Sequence, residues 1–159
     1  MKKRPWHTER NFIFYVEMSM RTSVDAREAV CTVLQDGKWW APSFAEKPGT
    51  LVGRLQGDRL RATRTREHYV RCQPIIFGTL VDRPDGGSLH LRLFAPAGIL
   101  ASVLGLVFSA FAMWRFGASA LGIPLVVLVA LTLFAFQFQE QAMKSIREIS
   151  SAVSDGIAD

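Results

Sequence analysis

His68 and Cys72 stand four residues apart, with Cys31 and His90 as further donors that could join them around a metal. Zinc asks for three or four converging ligands, usually drawn from closely spaced pairs. The chain offers one loose pair, so His68 and Cys72 read as ordinary loop residues and no metal is expected. Nucleophilic catalysis needs a serine or cysteine beside a base that an acid orients. Gly117-Ala118-Ser119-Ala120-Leu121-Gly122 has the outline of a nucleophile elbow, but its last glycine comes one place late. It also lies between two apolar stretches and not between a strand and a helix. Asp82 and Asp85 belong to a turn by composition, Arg83-Pro84-Asp85-Gly86-Gly87. No glycine-rich phosphate cradle or Walker-type lysine loop occurs. No catalytic residue and no cofactor is therefore assigned, and the reading leans away from an enzyme.

The densest chemical signal is basic. Arg54, Arg59, Arg61, Arg64, Arg66 and Arg71 fall within eighteen residues. On a strand Arg59 and Arg61 share one face and Arg64 and Arg66 the other. Such arginines can simply blunt a solvated sheet edge. They can also meet a protein partner or anionic lipid headgroups, near which each basic residue is attracted to the membrane surface. Aromatic residues do not interleave with them, and the excess of charge over residues 1–92 is modest, sixteen Lys and Arg against ten Asp and Glu. Both facts argue against nucleic acid.

What places these residues is a chain of two characters. Two uncharged apolar stretches, Leu93 to Trp114 and Phe116 to Gln139, are separated by Arg115 alone. About 20 apolar residues cross a bilayer as a helix, so a transmembrane hairpin is expected over 95–139, with helices near 95–115 and 119–139. Lys and Arg close to membrane helices stay in the cytoplasm. Arg83 and Arg92 precede the hairpin, and Lys144 and Arg147 follow it. Both termini are thus expected in the cytoplasm, with Trp114 and Arg115 marking the outer interface. Lys2-Lys3-Arg4 agrees. As the opening of a signal peptide it fails, because Glu17 interrupts the apolar run and no small-residue cleavage site follows. Ala101, Gly105 and Ser109 repeat every four residues, a spacing that lets a second helix approach. The second helix of the same chain is the nearest candidate, a second copy in a homo-oligomer the other. Neither helix carries a charge, which argues against a transporter or channel. Two cysteines, Cys31 and Cys72, are too few for a secreted disulfide scaffold.

Residues 1–94 read as an α+β domain. Period two over 12–20 puts Phe12, Phe14, Val16, Met18 and Met20 on one face and Tyr15, Glu17 and Ser19 on the other. Thr22 and Asp25 make a capping-box pattern. The helix it opens carries Ala26, Val30, Val33 and Leu34 on one stripe and stops near Gly37. Residues 37–49 are a loop holding Trp39 and Trp40, which with Trp6 could anchor at the headgroup layer or cover the sheet. Strands 51–56 and 59–66 form a hairpin about Gly57-Asp58. Further strands run over 75–81 and 88–94. An antiparallel sheet of about five strands with one short helix follows. Residues 140–159 continue the second membrane helix with Met143, Ile146, Ile149, Val153 and Ile157 at helical spacing. Their net charge is negative, so this amphipathic segment is expected on the sheet and not on anionic lipid, completing the α+β domain.

The strand followed by Thr22-Ser23, the run Leu51-Val52-Gly53-Arg54-Leu55-Gln56-Gly57-Asp58-Arg59-Leu60, Pro74-Ile75-Ile76-Phe77-Gly78-Thr79-Leu80 and the hairpin carry a family likeness over 12–149. The chain resembles small uncharacterised bacterial two-helix membrane proteins with an amino-terminal α+β domain. The resemblance implies architecture and location in the inner membrane, and no activity. Where such relatives have a polar segment before the proline, this chain has Glu67-His68-Tyr69-Val70-Arg71-Cys72-Gln73.

Taken together, the expectation is a two-pass inner-membrane protein presenting a cytoplasmic binding module to a protein partner or to headgroups. The alternatives are a small-ligand or enzymatic module and an accessory subunit of a larger membrane complex. The first of these would have a cavity between the sheet, the Trp39-Trp40 loop and the tail helix, polarised by His68, Cys72, Tyr15 and Glu17.

Overall fold

The computed structural model describes residues 6–22, 26–37, 49–65, 73–81 and 87–155. Seven strands make up the sheet: β1 (Trp6–Phe12), β2 (Tyr15–Thr22), β3 (Leu34–Asp36), β4 (Leu51–Gln56), β5 (Arg59–Arg64), β6 (Ile75–Val81) and β7 (Gly87–Phe94). Their order is β1-β2-β7-β6-β5-β4-β3. Three helices accompany them, α1 (Ala26–Val33), α2 (Pro96–Phe116) and α3 (Gly122–Asp155), with a short 3₁₀ turn over Gly117–Ala120.

The α+β class holds, but the sheet is larger than the expected five strands, and it is mixed. β3 pairs with β4 in parallel, and every other pair is antiparallel. The two strands that sequence reasoning missed are the two edges. β1, Trp-His-Thr-Glu-Arg-Asn-Phe, has no apolar alternation, because an edge strand can be held by its ladder to β2 without burying a face. β3 is three residues long and follows α1 without a break. The helix expected to reach Gly37 ends at Val33 because Leu34, Gln35 and Asp36 pair with Leu51, Val52 and Gly53. Residues 23–25, which carry most of the anticipated capping box, lie outside the described residues, and Thr22 belongs to β2.

The first expected strand also divides. Phe14, Val16, Met18 and Met20 are buried as the alternation required, whereas Phe12 is 63% exposed. Ile13 and Phe14 form the turn between β1 and β2, and the turn breaks the period that would have carried Phe12 inward. The β4–β5 hairpin is as expected. Gly57 takes φ 57° there, a conformation that glycine adopts without steric penalty. In β7, Leu89, Leu91 and Leu93 point inward and His90 and Arg92 outward.

The apolar side of the sheet is closed by helices. Val30 of α1 and Phe138, Ala142, Ile146, Ile149 and Val153 of α3 share one buried cluster with Met18, Leu60, Ile76, Leu80, Leu89, Leu91 and Leu93. Two long-range polar ties reinforce this packing. Arg64 at the end of β5 donates to Glu148 of α3 at 2.8 Å. Gln139 of α3 donates to the Phe12 carbonyl at 2.9 Å. The expected continuation of the second long helix onto the sheet is therefore realised in one unbroken helix of 34 residues.

Pro96 opens α2 in the first turn, where its missing N–H costs nothing. At 21 residues α2 is about 31 Å long. Both α2 and α3 are long and apolar enough to cross a membrane, by length and composition. Their apolar side chains are largely uncovered: Leu104, Leu106, Val107 and Phe108 on α2 and Leu125, Val126, Leu128 and Phe136 on α3 are each more than half exposed. The two helices meet along the small-residue stripe. A Cβ on Gly105 would lie 2.7 Å from Cγ1 of Val127, and Ser109 and Ala112 are buried.

Candidate functional site

One face of the sheet is occupied by α1 and α3; the other carries the polar alternates of each strand. Because register aligns these alternates across strands, they form rows. One row runs Arg10, Glu17, Arg92, Phe77, Arg61 and Arg54 from β1 to β4, each opposite the next. Asp36 of β3 extends it, with Oδ1 at 3.3 Å from Arg54 Nη2. A second row is Ser19, His90, Thr79, Arg59 and Gln56. A third, Phe12, Tyr15, Phe94, Ile75, Thr63 and Val52, lies where β7 leads through Ala95 into α2, and its Thr63 and Val52 are buried. The arginine row is two residues further from the apolar helices, about 7 Å at 3.4 Å per residue.

Glu17 is the hub of the row. Arg92 Nε donates to Oε1 at 2.9 Å and the Tyr15 hydroxyl donates to Oε2 at 3.0 Å. Arg10 Nε lies 4.0 Å from Oε2. The Arg92 hydrogen bond, then that of Tyr15, holds the Glu17 carboxyl below its ordinary range. Burial, then the bond to Glu17, raises the Tyr15 phenol, and the same carboxylate raises Arg92 further. In this half of the row one carboxylate is shared between two arginines. In the other half Arg54, which is paired with Asp36, stands directly opposite Arg61. Like charges in that position destabilise a sheet. The row sums to four arginines against two carboxylates. Beside it, Phe77 and Phe94 stack with centroids 5.5 Å apart and planes within 8°. Such a surface has the parts to bind an anionic group and to cover a small apolar contact.

The six arginines singled out from sequence separate into three groups. Arg54, Arg59 and Arg61 are exposed on the open face. Arg64 points the other way, is nearly buried and is committed to Glu148, so it belongs to the packing of α3. Arg66 and Arg71 lie outside the described residues. Trp114 is 80% exposed, and the neighbouring Arg115 guanidinium sits 5.8 Å from the Phe116 ring at the far end of α2. Ala101 is half-buried, and Gly105 and Ser109 face α3 of the same chain. Arg10 and Arg92 were not among the sequence candidates for this surface. Alternation in β7 already turned Arg92 outward, but only register places it in line with Arg61.

Of the polar groups expected to line a ligand cavity, Tyr15 and Glu17 lie bonded to each other on the face opposite α1 and α3. His68, Cys72, Trp39 and Trp40 fall outside the described residues, and Trp6 opens β1. Cys31 is exposed. Among the described residues no three His, Cys, Asp or Glu side chains converge on a point that would hold a metal ion. An open cleft of about 510 Å³ lies between Phe108, Ser119, Ile123, Val126 and Val127 at the far end of the apolar hairpin. Its lining is apolar apart from the Ser119 hydroxyl, which is spent on the Phe116 carbonyl.

Comparison with protein-family models, with curated proteins and with solved structures gives no match for this chain.

Proposed function

We propose that the chain is a two-pass membrane protein of the bacterial inner membrane whose α+β domain is a non-enzymatic binding module for anionic lipid headgroups. In this reading α2 and α3 cross the bilayer and residues 1–94 and 140–159 lie on the cytoplasmic side. Exposed apolar surface along two adjacent helices far exceeds the few hundred Å² that a soluble monomer leaves uncovered, which favours a lipid surround. Basic residues flank the hairpin on the domain side, and Arg115 alone lies at its turn, which favours the cytoplasmic orientation.

The observation that carries the headgroup reading is the position of the arginine row. Arg10 and Arg92 lie one row beyond Phe12, Tyr15 and Phe94, which border the hairpin, and the exposed Arg61 and Arg54 continue their row across β5 and β4, next to the buried Thr63 and Val52. Aromatic rings at the membrane boundary followed by cations at phosphate level is the layering an interface selects. The stacked Phe77 and Phe94 on the same face favour a second reading, a protein partner laid against the sheet.

Native mass spectrometry of the full chain in mild detergent, titrated with phosphatidylglycerol and with phosphatidylcholine, tests this. Retention of phosphatidylglycerol in preference, weakened on the order of tenfold in Arg54→Ala/Arg61→Ala, is expected. Equal retention of both lipids, or unchanged retention in the variant, would overturn the headgroup reading.

A further inference from the structure

The turn between β1 and β2 exposes two large apolar side chains at the end of the sheet nearest the long helices. Phe12 is 63% and Ile13 65% exposed. A soluble β-turn is normally built from glycine, proline, asparagine, aspartate or serine, and Phe-Ile-Phe is none of these. The third residue, Phe14, explains itself: it is buried, with its ring 6.2 Å from that of Phe138. It also lies so close to Gly98 that a Cβ there would sit 2.6 Å from the ring. Phe12 and Ile13 have no such role in the core.

The turn is held at a defined level. Gln139 of α3 donates to the Phe12 carbonyl and, at 3.0 Å, to the Asn11 side chain. The Ala95 amide, one residue before α2, donates to the Phe14 carbonyl at 3.2 Å. Both apolar helices are thus pinned to this turn at their domain ends. Polar residues begin at that same level, Gln137 and Gln139 on one helix and Arg92 before the other.

We propose that the β1–β2 turn is a third membrane contact, with Phe12 and Ile13 inserted at the boundary between acyl chains and headgroups of the bilayer that α2 and α3 cross. The inference rests on the transmembrane reading of those helices and adds a surface to it. Tyr15, whose ring lies 6.2 Å from that of Phe12, supplies an amphipathic aromatic at the same depth. Arg10, two residues before Phe12, is carried to the phosphate layer with the rest of its row.

Nitroxide labels at Phe12→Cys, Ile13→Cys, Asp58→Cys and Leu104→Cys, in a full chain carrying Cys31→Ser and Cys72→Ser, test this. The labelled chains are placed in nanodiscs of phosphatidylcholine and phosphatidylglycerol. Collision rates with oxygen and with a water-soluble nickel chelate report depth. Leu104 is mid-way along α2 and reads insertion of the helices. Asp58 is in the β4–β5 turn at the opposite end of the sheet and reads water. Labels at 12 and 13 shielded from nickel, with a depth between those two references, are the expected result. Labels at 12 and 13 as nickel-accessible as that at 58, with 104 shielded, would overturn the wedge and leave the transmembrane reading standing. A nickel-accessible label at 104 would overturn both.

Discussion

The two halves of α3 are one continuous helix with opposite exposure. Over 122–137 its large apolar residues point outward, with Leu125, Val126, Leu128, Leu133 and Phe136 each at least 60% exposed. Over 138–153 the same kinds of residue are sealed, with Phe138, Ala142, Ile146, Ile149 and Val153 at 2% or less. Backbone geometry does not change at the junction. What changes is the partner: α2 covers a narrow stripe of the first half, and a seven-stranded sheet covers a whole face of the second. Hydrophobicity alone therefore does not say where a residue is buried. Phe136 and Phe138 are identical in type, two positions apart, and lie at 70% and 0% exposure.

That pair gives the sharpest way to break the comparison. Phe138→Ala removes a ring from a closed core and is expected to cost the α+β domain about 3–5 kcal/mol. Phe136→Ala should move the same transition by less than ~0.5 kcal/mol. Near-UV circular dichroism during denaturant titration of the full chain in detergent reads both. Comparable losses at the two positions would mean that the first half of α3 is packed against something the domain needs.

A smaller effect separates two arginines of β5. Arg64→Ala strips Glu148 of its partner and opens the seam between β5 and α3. The expected loss is about 2 kcal/mol, less than for a fully buried pair because Glu148 keeps more than a third of its side chain in solvent. Arg61→Ala on the open face of the same strand should change stability by ~0.5 kcal/mol or less while weakening retention of anionic lipid. Both are read by the same denaturant titration, with lipid retention measured alongside.

The smallest expected effect is in the pH dependence. Arg92 and Tyr15 hold the folded-state pKa of Glu17 below its ordinary value of 4.5. The carboxylate therefore stabilises the fold at pH above that value, and the contribution is lost as pH falls through the lowered one. Glu17→Gln removes this dependence, so the stability gap between native chain and variant should narrow from pH 7 to pH 3. A gap that widens on acidification would mean that Glu17 is not held ionised by Arg92.

Much of the fold is legible without coordinates because burial imposes periods. Val16, Met18 and Met20 in β2, Leu89, Leu91 and Leu93 in β7, the Gly57-Asp58 turn and the stripe through Ile146, Ile149 and Val153 each announce an element and its inward face. β1 and β3 are silent because an edge strand is held by its backbone ladder to a single neighbour, β2 or β4, and ladders leave no mark on side-chain order. The functional surface is legible in its parts and not in its assembly. Alternation turned Arg59 and Arg61 outward and Arg64 inward, but nothing local brings Arg10 and Arg92 into line with Arg54.

By itself, then, the chain order determined two long apolar helices, an amphipathic continuation and the outward or inward sense of most strand residues, since each depends on neighbours within a few positions. Tertiary structure decided the seven-strand mixed sheet, the row of arginines across four of its strands, the burial of Arg64 against Glu148 and the exposed Phe12-Ile13 turn at the foot of the hairpin. These depend on register between segments as far apart as Asn11 and Gln139, and register is set when backbones pair and side chains pack, not by the order of residues along any one of them.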